Sequence, residues 1–271
     1  MRDDVNTGKV EAKEVLYEVA DHIALIILNA PERMNTISRP MLDELTRLLV
    51  QANEDPEVRC VILTGNGRAF CAGLDLRAER GTNGISTAAS TTTLNLRDTP
   101  PTVLQSMDKP TICAVNGGAA GYGMDTALGC DIRIMAESAK LAAAFVKRGV
   151  VPESGGTWLL PRMLGWAKAS ELIFTGRTLG ARECLEWGLA NEVVADGELM
   201  GRALTLAREI AANAPLAVQA SKRMMRMGLN ETFSDHVHHV YLQLLPLFKT
   251  QDMAEGVKAF MEKREPKFEG R

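Results

Sequence analysis

Two segments of this chain run from a short β-branched stretch through a glycine-rich loop into sequence of helical character. This pairing constrains the fold more than any other feature. The first is Val61-Ile62-Leu63 followed by Gly67-Arg68-Ala69-Phe70-Cys71-Ala72-Gly73-Leu74-Asp75-Leu76. The second is Ile112-Cys113-Ala114-Val115 followed by Asn116-Gly117-Gly118-Ala119-Ala120-Gly121-Tyr122-Gly123-Met124-Asp125. Strand, glycine loop and helix together bare backbone N–H groups so that they can meet an anion. Two such loops in one domain can supply two convergent donors, which is what a developing oxyanion requires.

The length of 271 residues suits one large domain, or one domain with an appendage. A hydrophobic fraction of 46% with 24% charged residues is ordinary for a soluble enzyme. A net charge of −3 and the lack of any basic stripe argue against a nucleic-acid partner. Apolar runs such as Ile23 to Leu28 end well short of a membrane span, so no membrane partner is expected. The first fourteen residues mix acids and bases without an apolar stretch, which reads as a polar tail and not a signal peptide. Five cysteines without framework spacing imply free thiols in a reducing compartment, hence a cytoplasmic location.

Val15 to Val19 and His22 to Leu28 read as two strands of a hairpin turning at Ala20-Asp21. Ser38 or Arg39, followed by Pro40, opens a helix with Met41/Leu42, Leu45 and Leu48/Leu49 on one face. Asp55-Pro56 ends it, and a strand is expected over Val58 to Leu63. Residues 77 to 100 carry little periodicity and read either as a disordered insertion or as a segment covering a pocket. A strand is expected over Ile132 to Met135, an extended stretch near Leu141, and a helix over Thr157 to Met163 despite Pro161. From about Asp196 the pattern is helical: Glu198 to Ala212, Leu216 to Met227, Thr232 to Phe248 and Met253 to Lys263. The expected architecture is therefore a mixed α/β core over residues 15–196, with a polar tail over 1–14 and a helical region over 197–271.

Together these segments resemble the crotonase superfamily, the enoyl-CoA hydratase/isomerase group, from about Val15 to Phe268. The resemblance rests on Ala69 to Leu76, on Ala114-Val115-Asn116-Gly117 with its Cys130-Asp131-Ile132 end, and on Pro152 to Arg162. The last segment is closest in motif to enoyl-CoA isomerase and ring-epoxide isomerase types. The resemblance implies a spiral of ββα turns, a C-terminal helical region for oligomerisation, and homotrimers or dimers of trimers. It implies an acyl-CoA thioester substrate with no separate cofactor and no metal. The N–H groups of Leu74 and Tyr122 would form the oxyanion hole, although the family usually has a small residue at the Tyr122 position. Coenzyme A would lie over Arg33 and Asn35, with its adenine against the backbone at Ala72 and Leu76. Phe260 and Lys263 would reach a nucleotide bound largely by a neighbouring subunit, the lysine acting as a point charge toward phosphate.

The choice of reaction turns on three positions. Hydration needs two carboxylates flanking one water. In family hydratases these lie at the positions of Asp125 and Phe145, and a phenyl ring can neither hold nor deprotonate water. Glu153 stands where several isomerases carry an acid, and moving a double bond needs one base. The resemblance therefore implies an enoyl-CoA double-bond isomerase with Glu153 as acid/base and Phe145 as a dry wall of the substrate pocket. Three alternatives stay open: a hydratase using Asp125 and Glu153, a ring-epoxide isomerase, and a non-catalytic acyl-CoA binder. Asp125 reads equally well as an early-turn acid complementing its helix, and Glu153 as a charge on the turn before one. His236, His238 and His239 read as a surface or subunit-contact face, not a metal site. Cys71 has no histidine nearby in sequence to activate it.

Overall fold

The computed structural model describes residues 13–75 and 99–271. Leu76 and nearly all of the 77–100 stretch lie outside the described residues, as do the first twelve.

The chain winds two sheets at once. Strands β1 (Val15–Ala20), β2 (Ile23–Leu28), β3 (Cys60–Gly65), β5 (Thr111–Val115), β7 (Ile132–Ala136) and β10 (Glu192–Val194) form a six-stranded sheet in that order. Only β1 and β2 pair antiparallel within it. The short strands β4 (Ala69–Cys71), β6 (Gly118–Ala120), β8 (Lys140–Ala142) and β9 (Thr178–Gly180) form a second sheet. Each turn of the spiral therefore lays one long strand, crosses to one short strand, and returns through a helix. The returning helices include α2 (Pro100–Ser106), α3 (Tyr122–Gly129) and α4 (Gly156–Leu164). The long strands β3 and β5 are buried on both faces, which is why Val61-Ile62-Leu63 and Ile112-Cys113-Ala114-Val115 are continuous apolar runs.

Local chemistry sets most boundaries. The hairpin turns at Asp21-His22, both at positive φ (52° and 62°), one residue later than the sequence suggests. Helix α1 (Arg39–Glu54) is capped by Ser38, whose Oγ accepts from Met41 N–H at 3.2 Å. Strand β3 begins at Cys60 and not Val58, because the turn after α1 continues: Glu57 N–H donates to Asp55 Oδ1 and Val58 N–H to the Asp55 carbonyl. Glu14 does not behave as tail. Its carboxylate accepts from Arg33 and from Ser38 Oγ, both at 2.6 Å, and pins the chain start to the head of α1.

Helices α5 (Trp166–Thr175) and α6 (Ala181–Trp187) lead to β10, and α7 (Leu199–Ala211) follows it. Leu199, Ala203, Ala207 and Ala211 of α7 belong to the main core. In packing terms the separate helical region thus starts after α7, not at residue 197. It comprises α8 (Pro215–Gly228), α9 (Phe233–Leu247) and α10 (Gln251–Glu262). No residue of α9 is buried in the single chain.

Candidate active site

The two glycine loops meet. Gly73 adopts φ +104°, and a Cβ there would stand 2.9 Å from the Ala120 carbonyl and 3.8 Å from the Tyr122 nitrogen. Only glycine permits that approach. The loop of Leu74 is held in place by a parallel bridge to Ile37, with Ile37 N–H donating to Gly73 and Asp75 N–H donating to Ile37. That pairing leaves the Leu74 N–H pointing elsewhere. Tyr122 is the first residue of α3, so its N–H has no partner within the helix. Neither N–H donates to backbone or side chain among the described residues. Both residues line one cavity of about 480 Å³, shared with Arg33, Ala72, Phe145 and Glu153.

Glu153 sits on the turn before α4 and also lines a second cavity of about 380 Å³. Tyr122 is the other residue common to the two cavities. Partial desolvation raises the Glu153 carboxyl above its ordinary range, against the lowering effect of its own backbone N–H. Phe145 is 4% exposed and forms an apolar wall of the first cavity.

Asp125 is elsewhere. It is fully buried and lines neither cavity. Its Oδ2 accepts from Gly156 N–H at 3.3 Å, and the Ser154 N–H also supports it. Its Oδ1 lies 2.4 Å from where a Gly156 Cβ would be, so glycine is required beneath the carboxyl. Burial raises this carboxyl to about 7, with the neighbouring Glu153 adding to the effect. Asp125 thus ties α3, which presents the Tyr122 N–H, to the turn that carries Glu153. The expectation that it faces substrate beside Glu153 is not met by this packing.

Asn35 also departs from its expected place. It is buried, accepts from Ala30 N–H at 2.8 Å and donates to the Asn66 and Ala69 carbonyls. With its amide so committed, it shapes the first glycine loop and does not meet a ligand. Arg33 lines the first cavity while paired to Glu14 at 2.6 Å. Arg68 and Arg148 line the same cavity and were not singled out from sequence; Arg68 stands in the first glycine-rich segment and Arg148 outside either one, and the winding of the chain brings them together. Phe260 is 86% exposed and lines a different groove, against α8 and α9, while Lys263 caps α10 at φ 54°. Within one chain they do not join the Glu153 site.

Burial pushes the Cys71 thiol up to about 12, so it stays protonated and is no nucleophile. His236 and His239 share one partner unforeseen from sequence, the Glu231 carboxylate, at 3.1 and 3.0 Å. Among the described residues no group of three side chains is placed to hold a metal ion.

A spiral of ββα turns with two open N–H groups facing one carboxylate across a cavity invites comparison with known proteins. The sequence profile of the enoyl-CoA hydratase/isomerase family matches residues 18–271. The chain belongs to the enoyl-CoA hydratase/isomerase family, the crotonase superfamily, and is an enzyme of that kind. It is 39% identical over 261 residues to the 1,2-epoxyphenylacetyl-CoA isomerase of Escherichia coli, covering 95% of this chain and 98% of that protein. It is 36% identical to the (E)-benzylidenesuccinyl-CoA hydratase of Thauera aromatica, covering 94% of this chain and 99% of that one. The crystal structure of an enoyl-CoA hydratase from Bacillus anthracis superposes with a TM-score of 0.88 at 35% identity, over 96% of this chain and 100% of that one.

Proposed function

We propose that this enzyme shifts the double bond of an enoyl-CoA thioester, using Glu153 as its one acid/base. The observation that carries this reading is that Glu153 lines both cavities while the second acid, Asp125, is packed beneath the turn. In this reading the thioester oxygen accepts from the Leu74 and Tyr122 N–H groups, which have no competing acceptor. Charge that develops on that oxygen meets two donors already oriented, with little reorganisation at the moment of reaction. The ionised Glu153 carboxylate takes a proton from C2, giving a dienolate stabilised by those donors. The same group, now protonated, returns the proton at C4. The Phe145 ring keeps water from the reacting carbons, and the raised Glu153 carboxyl is a stronger base than an exposed one.

A hydratase is the rival. It requires a second carboxylate on the water, and Asp125 would have to leave its bonds to the 154–156 backbone to supply it. A ring-epoxide isomerisation would use the same donors, and the resemblance of Pro152 to Arg162 keeps it as a further reading.

Coenzyme A in this reading runs past Ala72 toward the guanidinium groups of Arg33, Arg68 and Arg148, which suit phosphate. A second copy would add Phe260 and Lys263, giving a homotrimer or paired trimers. The exposed apolar side chains of α9 and α10 support such packing. No helix among the described residues is long and apolar enough to cross a membrane, and all five cysteines are buried and unpaired, as suits the cytoplasm.

The direct test is incubation with 3-enoyl-CoA and 2-enoyl-CoA in deuterated water, with products followed by mass spectrometry. Conversion of the 3-enoyl to the 2-enoyl ester without addition of water is the expected result, with little deuterium taken up because the base carries the substrate's own proton from C2 to C4. Rapid formation of a 3-hydroxyacyl ester from the 2-enoyl ester would make the enzyme a hydratase.

A further inference from the structure

The residue that donates one backbone N–H to the first cavity also carries a large side chain, where the family resemblance leads one to expect a small residue. Tyr122 is 6% exposed, and it is one of two residues shared by the first and second cavities. The other, Glu153, is the proposed base. An acyl group held at the Tyr122 N–H and reacting at Glu153 must therefore pass between them and end in the second cavity.

That cavity holds about 380 Å³, near the lower end of the range for small-molecule sites. Pro101, Leu159 and Trp158 line it together with Tyr122. Trp158 lies on the border of this cavity with Gln105, Leu159 and Arg226. It also lines a larger crevice of about 920 Å³, and Arg162, which lines only that crevice, lies 4.0 Å from the centre of the Trp158 ring. Arg162 thus backs the indole on the crevice side. The phenol hydroxyl is buried beside the Thr99 side chain, and burial raises its pKa, so it stays protonated. What the side chain supplies here is its ring.

Resting on the acyl-CoA reading above, we infer that the Tyr122 ring is a specificity determinant, which with Trp158 restricts the enzyme to compact, ring-sized acyl groups and excludes extended alkyl chains. A close-packed interior cannot absorb additional methylenes without displacing its walls. Extending the acyl chain past Tyr122 therefore costs affinity, whereas a compact ring fits within a space of this volume.

The test is binding of butyryl-, octanoyl-, dodecanoyl- and phenylacetyl-CoA by calorimetry to the wild type, Tyr122→Ala, Tyr122→Leu and Tyr122→Phe. These esters lack the reacting double bond, so binding is read without turnover. Wild type is expected to bind phenylacetyl-CoA best and dodecanoyl-CoA at least about tenfold more weakly. Tyr122→Ala should level the series, with dodecanoyl-CoA gaining about tenfold relative to butyryl-CoA. Tyr122→Leu should move the same way by less, and it serves if the alanine variant fails to fold. Tyr122→Phe keeps the ring and should keep the wild-type profile. An unchanged length profile in the alanine and leucine variants overturns this inference alone, as does a profile lost in the phenylalanine variant. Failure of the wild type to bind any of the four esters overturns the acyl-CoA reading, and this inference with it.

Discussion

Glu153 and Asp125 are acids of similar chemistry put to different uses by their surroundings. Glu153 opens on both cavities, and Glu153→Gln should lower isomerisation by roughly a thousandfold, in line with loss of a general base. Steady-state kinetics beside calorimetry of a saturated ester would show the rate lost and binding held within a few fold. Because the working form is the carboxylate and its pKa is raised, activity should climb with pH through an acid limb centred above the ordinary 4.5 for glutamate. A pH profile of kcat/KM reads that limb directly. Asp125 gives the opposite dependence, in stability. Its carboxyl titrates at about 7 when folded against 3.8 ordinarily, so the folded state holds the extra proton between those values. The stabilisation is full below the lower value and falls by about 1.4 kcal/mol per pH unit until the upper one is passed. Urea midpoints at pH 5 and pH 8 should therefore differ more in the wild type than in Asp125→Asn, which has no such group to ionise.

Between elements, the decisive contacts are glycine against backbone or carboxyl. Gly156 sits under Asp125 so closely that Gly156→Ala would drive a methyl group to 2.4 Å from Oδ1 and 2.9 Å from the Pro152 Cβ. The turn carrying Glu153 must then shift, at a cost of about 1–3 kcal/mol. Combining it with Asp125→Ala should recover part of that loss, and a double-mutant cycle in urea would measure the coupling. Gly73→Ala combines a forbidden φ with a 2.9 Å approach to the Ala120 carbonyl. It should depress kcat more than ester binding, because it displaces the Leu74 N–H from a developing oxyanion. Much at this scale was legible in sequence. The helix start at Ser38 or Arg39, the four C-terminal helices and the two glycine loops were expected close to their observed places. Strands β6, β9 and β10 were not, since at three residues each they carry too little periodicity to read and exist because a neighbouring strand pairs with them.

Among the described residues the spiral buries its core while the C-terminal helices leave large apolar side chains exposed. Phe233, Tyr241, Leu242 and Phe248 of the α9 region are 49–84% exposed, as are Phe260 and Met261 at 86% and 77%. Apolar surface on that scale fits the proposed assembly of several copies. Light scattering should give three or six times the 29.5 kDa chain mass. Tyr241→Arg should weaken that assembly and lower affinity for coenzyme A esters together, if a neighbouring Phe260 and Lys263 complete the nucleotide site. Assembly lost with affinity intact would remove those two residues from it.

Motif and spacing were enough for the resemblance to the family, and only through that resemblance for the expectation of the spiral; the two glycine loops could be read directly, because they depend on local geometry that glycine and β-branched residues impose on their own segments. They could not establish which side chains share a cavity. Asn35 turned inward because its amide found three backbone partners contributed by separate loops. Asp125 passed beneath the turn of Glu153 because α3 and the turn before α4 press together there. Tyr122 became the boundary between two cavities although its motif position suggests only a backbone role. In each case the outcome depends on atoms far apart in the chain competing for the same few ångströms, and only the packed structure resolves that competition.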